Sequence, residues 1–273
     1  MKNNVIHDVV DWIEESILCC RKINIHMIAK KSGYSPRHIH NLFKQEVSVT
    51  IGNYIRMRRV TQAALLIKFT KKHIFDIAID LNFSSQQAFC RTFLSYFKCN
   101  PLNYRKRSFI NTSELYPPYT RVPYLIKYKE EETVFFLDAE EVRYEDGIIG
   151  KYDKKAQNMR HEKVILILNH HSSAYIATDF ICLDNTKSTV GVVSHIGFNI
   201  MNSTESKLKI EKRKYALINF KGAWGEYEKF KRGLYVNSDL VRADGFDIEV
   251  FSKTKSSNEN IFIFDVKVFI PIV

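Results

Sequence analysis

Ala29-Lys30-Lys31-Ser32-Gly33-Tyr34-Ser35-Pro36-Arg37-His38-Ile39 is the stretch on which the fold turns. Glycine adopts the left-handed conformation that ends a helix without steric penalty. Ser35 can cap the next helix, and Pro36 suits its first position, where the missing N–H costs nothing. Upstream, apolar spacing predicts a helix over 25–32 carrying Ile28 and Ala29, with the small Ala29 where two helices cross closely. Downstream, the capped helix places Ile39, Leu42 and Phe43 on one face. Arg37, His40, Asn41 and Lys44 fall largely on the other, free to meet a nucleic acid. This is the grammar of a helix-turn-helix unit.

One such match is weak, but it recurs in Ile77-Ala78-Ile79-Asp80-Leu81-Asn82-Phe83-Ser84-Ser85. Ala78 stands for Ala29 and Phe83 for Tyr34. Asn82 stands for Gly33, asparagine being among the few non-glycine residues that tolerate the left-handed region. One extra residue in the turn gives Ser85 the capping role of Ser35. The helix that follows buries Phe89, Thr92, Phe93 and Phe97 and exposes Gln86, Gln87, Cys90 and Arg91. Gln and Arg pair bidentately with adenine and guanine edges in the major groove. A helix is predicted over 5–18, and a long amphipathic one over 51–67 joins the two units. At 1.5 Å per residue the latter spans about 25 Å. It can hold two recognition helices about one DNA turn apart, so one chain can read a site that lacks two-fold symmetry.

The charge distribution agrees. The chain of 273 residues carries a net +11. Residues 1–110 hold 18 basic against 7 acidic residues, and the remainder 23 against 23, so all the excess lies in the helix-turn-helix half. A polyanion is the natural partner for that half, because neutralising phosphates releases counterions. A composition of 45% hydrophobic and 26% charged residues is that of a folded protein. The chain offers no apolar run of 18 or more residues, and Met1-Lys2-Asn3-Asn4 leads straight into an amphipathic segment. The expected location is the cytoplasm, on the nucleoid, with no membrane partner. Cys19, Cys20, Cys90, Cys99 and Cys182 lack CxxC spacing and are expected to be free thiols, with no metal site.

Together, Gly33-Tyr34-Ser35-Pro36, Tyr54-Ile55-Arg56-Met57-Arg58-Arg59, Phe83-Ser84-Ser85-Gln86-Gln87-Ala88-Phe89-Cys90-Arg91-Thr92-Phe93 and the closing Phe97-Lys98-Cys99-Asn100-Pro101-Leu102-Asn103-Tyr104-Arg105 resemble the AraC/XylS family. Within it they are most similar to the MarA, SoxS and Rob group, over residues 5–107. The resemblance implies that Arg37, His40 and Asn41, and Gln86, Gln87 and Arg91, line two base-reading surfaces. It also implies contact with RNA polymerase. The group presents Trp, Gln and Arg where this chain has Arg37, His40 and Asn41, whereas Gln86, Gln87 and Arg91 keep the group's residues. One half of the target is therefore expected to match the group's and the other to differ.

A loop rich in polar residues and proline, 111–118, marks the boundary between a DNA-binding domain at 1–110 and a second domain at 118–273. Strand-like alternation runs over 133–137, 174–183, 215–221, 246–251 and 261–270, with helices over 154–168 and 224–236. This predicts an α+β domain with an antiparallel sheet, of two related halves. Asp247-Ile248-Glu249-Val250-Phe251, Phe264-Asp265-Val266-Lys267-Val268-Phe269-Ile270-Pro271-Ile272 and Lys214-Tyr215-Ala216-Leu217-Ile218-Asn219-Phe220-Lys221-Gly222 resemble the GyrI-like effector-binding domain, which also follows the DNA-binding part in the Rob branch of the group. The resemblance implies a pocket for a small, cationic, hydrophobic effector, with Glu249 as its acidic residue. A carboxylate in an apolar cleft is costly alone and is offset by a lipophilic cation. Trp224, Tyr227, Tyr175 and Phe220 could supply cation–π faces.

His170-His171-Ser172-Ser173 sits in a predicted loop without a nucleophile elbow, HExxH or phosphate-cradling glycine run. No catalytic residue and no cofactor are expected. The reading is a sequence-specific transcriptional regulator, an activator bound to DNA as a monomer and modulated through its second domain. Two alternatives stay open on sequence alone. One is a loosely specific chromosomal DNA-binding protein. The other is a ligand- or toxin-sequestering protein whose DNA-binding half autoregulates.

Overall fold

The computed structural model describes residues 2–119, 126–147, 154–181, 189–200, 204–235, 237–254 and 262–273. Helices come first: α1 (Lys2–Leu18), α2 (Ile25–Ser32), α3 (Pro36–Val47), α4 (Ile51–Phe69), α5 (Ile74–Asp80), α6 (Gln86–Phe97) and α7 (Pro101–Lys106). Both turns take the conformations their residues dictate. Gly33 has φ 72° and Asn82 φ 56°. The Ser35 hydroxyl accepts the His38 N–H at 3.3 Å, and the Ser85 hydroxyl that of Ala88 at 3.1 Å.

The repeat extends further than the turns. Helices α3 and α6 each end on a left-handed residue, Ser48 (φ 65°) and Lys98 (φ 56°), whose N–H returns to the carbonyl of Lys44 or Leu94. Thr50 and Asn100 then cap α4 and α7. A turn later Tyr54 and Tyr104 are buried in equivalent places. Each unit has its own apolar core, one around Ile13, Ile28, Ile39 and Phe43, the other around Ile77, Phe89, Phe93 and Phe97.

Helix α4 departs from expectation. It is 19 residues long, about 28 Å, but it is not amphipathic. Arg58, Thr61 and Gln62 are buried beside Val60, Ala63 and Ala64, because both cores and the segment after α7 close on it. The Arg58 guanidinium is compensated by Glu14 of α1 at 2.8–3.0 Å and by the Tyr116 carbonyl. The Tyr54 hydroxyl donates to the same carboxylate at 2.7 Å.

The predicted boundary loop is a docked strap. It comprises β1 (Phe109–Asn111) and a 3₁₀ turn (Thr112–Glu114), with Ile110, Thr112 and Leu115 buried. On one side Tyr116 N–H donates to Thr61 Oγ1 (2.9 Å) and Tyr119 N–H to the Tyr54 hydroxyl (3.1 Å). On the other, β1 pairs antiparallel with β6 (Val241–Ala243), and Thr112 exchanges bonds of 2.7 Å with Ser238 and Leu240.

The rest is β2 (Lys129–Gly147), α8 (Lys154–His170), β3 (Ser173–Ile181), β4 (Thr189–Asn199), β5 (Leu208–Ala223), α9 (Trp224–Leu234), β7 (Asp247–Lys253) and β8 (Ile263–Pro271). The order strand–helix–strand–strand occurs twice, and antiparallel pairing closes the strands into a barrel in the order β2-β4-β3-β7-β8-β5. The strand β4 was not anticipated. Its Val190–Ser194 run is buried throughout, which erases the alternation of a half-exposed strand. Within it, a Cβ at position 197 would lie 2.0 Å from the Asp138 carbonyl, so only glycine fits against β2. Cys19, Cys20, Cys90 and Cys99 carry free thiols, and Cys182 lies outside the described residues. Among the described residues no helix is long and apolar enough to cross a membrane.

Candidate nucleic-acid interface

Helices α3 and α6 present matching faces. Ile39, Phe43 and Val47 of α3 are buried, as are Phe89, Phe93 and Phe97 of α6. Opposite them Arg37, Asn41 and Lys44, and Gln86, Gln87 and Arg91, are exposed, while His40 and Cys90 are half-buried. Thr92 is half-buried, its hydroxyl donating to the Ala88 carbonyl. Ser35 and Ser85 are exposed at the helix N-termini with their oxygens already accepting backbone N–H groups. The exposed N-termini are suited to phosphate. Arg37, Asn41, Lys44, Gln86, Gln87 and Arg91 therefore stand on the outside of both units, with His40 at the edge of its face.

Sequence reasoning missed Asn53 and Arg56. Both are exposed on α4 and face a cleft of about 610 Å³ shared with Arg91, Ser84 and Ser95. Nothing in the local pattern marks them, since the cleft exists only where α4 and α6 meet. The two units are also tied directly, the Asn82 amide donating to the Cys20 carbonyl at 2.9 Å.

The barrel residues sort differently. Glu249 is fully buried on β7, but its carboxylate is not waiting for a cation. Arg160 of α8 donates from its Nη2 to both oxygens, at 2.7 and 2.9 Å, the Tyr227 hydroxyl donates at 2.7 Å, and the Lys231 ammonium contacts it too. Burial pushes the Glu249 carboxyl up, yet Arg160 and Lys231 outweigh it and hold it below the ordinary glutamate range. The expected counter-charge for a cationic effector is thus neutralised from within. Next to it Asp247 is pushed well up by burial, against the opposing pull of Lys231. It holds Arg242 at 3.0–3.1 Å and accepts from the Tyr235 hydroxyl.

Of the four aromatic residues, only Tyr227 reaches Glu249. Trp224 and Phe220 pack into the apolar core with Phe251, Phe264 and Phe230, as aromatics on amphipathic elements commonly do. Tyr175 is on the wrong side. Ile176 pairs with Glu249 across β3 and β7, so alternation sends Tyr175 with Val250 to the opposite face.

A cavity does lie beside the Arg160–Glu249 pair, lined by residues the sequence did not single out. Its volume is about 120 Å³. Tyr144, Phe180, Val190, Val192 and Tyr235 of the barrel form its walls, with Gln157, Arg160, Lys231 and Asp146 as polar groups. Leu65 and Phe69 of α4 close it from the helical side. Among the described residues no His, Cys, Asp or Glu cluster could hold a metal ion.

Two linked helix-turn-helix units with outward polar faces and a basic surplus define a DNA-binding regulator. A family model described as a helix-turn-helix domain matches residues 28–107. The chain is 31% identical to the putative HTH-type transcriptional regulator YkgA of Escherichia coli K12, over 71% of this chain and 75% of the relative. It is 28% identical to the F1 operon positive regulatory protein of Yersinia pestis, over 100% of this chain and 89% of that one. Its identity to the regulatory protein SoxS of E. coli K12 is 43%, over 38% of this chain and 94% of SoxS. The chain belongs to the AraC family of transcriptional regulators, in the group that includes SoxS.

Proposed function

We propose that this protein is a transcription activator that binds an asymmetric promoter site of about 20 base pairs as a monomer, through two adjacent major grooves. The observation that carries the reading is the pair of equivalent exposed faces on α3 and α6, held by one helix, α4, on which both cores close. Arg37, His40, Asn41 and Lys44 read or clamp one half-site, Gln86, Gln87 and Arg91 the other, with Ser35 and Ser85 at the phosphates. Contact with RNA polymerase is the route to activation. The barrel, a twice-repeated strand–helix–strand–strand unit with a buried glutamate on its helix-facing side, supports reading it as a GyrI-like module that binds a small effector.

Selection of genomic fragments by the full-length protein at about 150 mM salt tests the DNA reading. A few dozen promoter fragments sharing one asymmetric motif are expected. Broad recovery without a motif would favour the loosely specific chromosomal protein instead. Thermal-shift screening of a ligand library against the full-length protein tests the effector reading. Absence of any hit that also alters DNA affinity would remove it.

The Arg91→Ala variant should lose about 1–3 kcal/mol on the selected site, roughly 5- to 150-fold, with relaxed preference at one base pair. Equal loss on unrelated DNA in a competition assay would make Arg91 a phosphate contact.

A further inference from the structure

The cavity between α4 and the barrel has a chemistry that narrows what it can hold. Its volume of about 120 Å³ lies somewhat below the roughly 150 Å³ of an engineered cavity that takes benzene, so it admits at most a single ring. Its walls are apolar and aromatic, with Phe69 and Phe180 in ring contact at 5.6 Å. Its polar groups favour an acceptor. Both oxygens of Glu249 are taken by Arg160, Tyr227 and Lys231, so a cation entering here would have to break an internal pair. Arg160 is only 3% exposed, and among the described residues its Nε–H has no hydrogen-bond partner. A buried donor left unmade is costly, and a ligand oxygen would satisfy it. Lys231 brings three N–H donors to the same cavity, of which Glu249 engages one. Asp146 also lines the cavity, its Oδ1 accepting the Gly147 N–H at 2.8 Å, and an anionic group must lie at the Arg160 end, away from it.

We propose that this cavity is an effector site for a small aromatic carboxylate, one ring against Phe69 and Phe180 and its carboxylate on Arg160 and Lys231. The proposal rests on the effector reading of the barrel given above, and it reverses the charge of the ligand. It also supplies the readout. Leu65 and Phe69 belong to the last turns of α4, the helix that carries both helix-turn-helix units, so filling the cavity changes what α4 packs against. A second connection runs from Tyr235 through Asp247 and Arg242 to β6, which pairs with the strap.

Isothermal titration of the full-length protein with benzoate, and separately with benzylammonium, tests the ligand class. Benzoate is expected to bind one per chain, at least tenfold more tightly than benzylammonium. Leu65→Trp, which drives a ring into the cavity from a half-buried position, is expected to abolish benzoate binding. Leu65→Phe serves the same purpose if the larger residue prevents folding. Benzoate should shift affinity for the selected promoter site by fivefold or more in the unsubstituted protein and not in the variant, a size typical of coupled sites. Preference for benzylammonium would overturn the ligand class and leave the effector reading intact. Binding of neither probe would overturn the proposal, while the library screen judges the effector reading separately. Undiminished benzoate binding to the filled variant would place the site elsewhere and overturn it as well.

Discussion

Replacing Arg160 by methionine is expected to destabilise the barrel by about 3–5 kcal/mol, the cost of leaving a buried carboxylate without its main partner. Lys231 and Tyr227 remain on Glu249, which places the effect toward the lower end. The chain's two tryptophans make the measurement clean, because Trp12 is in the helical region and Trp224 in the barrel. Urea unfolding followed through Trp224 in a Trp12→Phe background reports the barrel. The double variant Arg160→Met with Glu249→Met should recover most of the loss, since a buried ion pair replaced whole by apolar groups is often neutral.

The pH dependence has a definite sign. In the unsubstituted protein the Glu249 carboxyl is held low, so its contribution is present above the unfolded-state value and is lost as pH falls through the depressed folded one. Without Arg160, burial gains the upper hand and the carboxyl moves up. The gap between variant and parent should therefore be wider at pH 7 than at pH 4. An Arg160→Met protein as stable as its parent at pH 7 would show that the pair contributes nothing.

Phe93→Ala is expected to cost the helical region about 3–5 kcal/mol, as large aromatic truncations in closed cores do. The ring is fully buried on α6 and meets Phe89, Phe97 and Tyr104 at centroid distances of 5.6, 4.6 and 5.4 Å. It anchors the side of the helix opposite Gln87 and Arg91, so its loss frees the second reading surface and leaves the first in place. Unfolding followed through Trp12 in a Trp224→Phe background gives the stability. Footprinting at saturating protein should retain protection at the half-site of α3 and lose it at that of α6. Equal loss at both would mean that the two units fold as one.

The helix-turn-helix units were legible because their punctuation is local. Gly33, Asn82, Ser35 and Ser85 act within a few residues of themselves, and each takes the backbone or capping role its chemistry favours. What closes α4 was not legible. Arg58 meets Glu14 across 44 positions, and no local pattern announces a buried arginine in a helix that otherwise reads as amphipathic. The strap looked like a polar loop because its burial comes from partners on β6 and α4. In the barrel the same rule holds. Glu249 was read as the acidic residue of a pocket, yet its partner Arg160 lies 89 positions away, and only that pairing decides which ligand charge the cavity tolerates. Tyr175 illustrates register: its face depends on which residue of β7 it opposes, and a shift of one reverses it.

One chain engaging two grooves is the central requirement of this mode of DNA binding. Sedimentation equilibrium of the full-length protein on its selected DNA site, combined with methylation interference on both strands, measures this directly. The expected result is one chain per duplex, with interference at two major-groove patches on one face, about one helical turn apart and unrelated by symmetry. Two chains per duplex, or a single interfering patch, would contradict it.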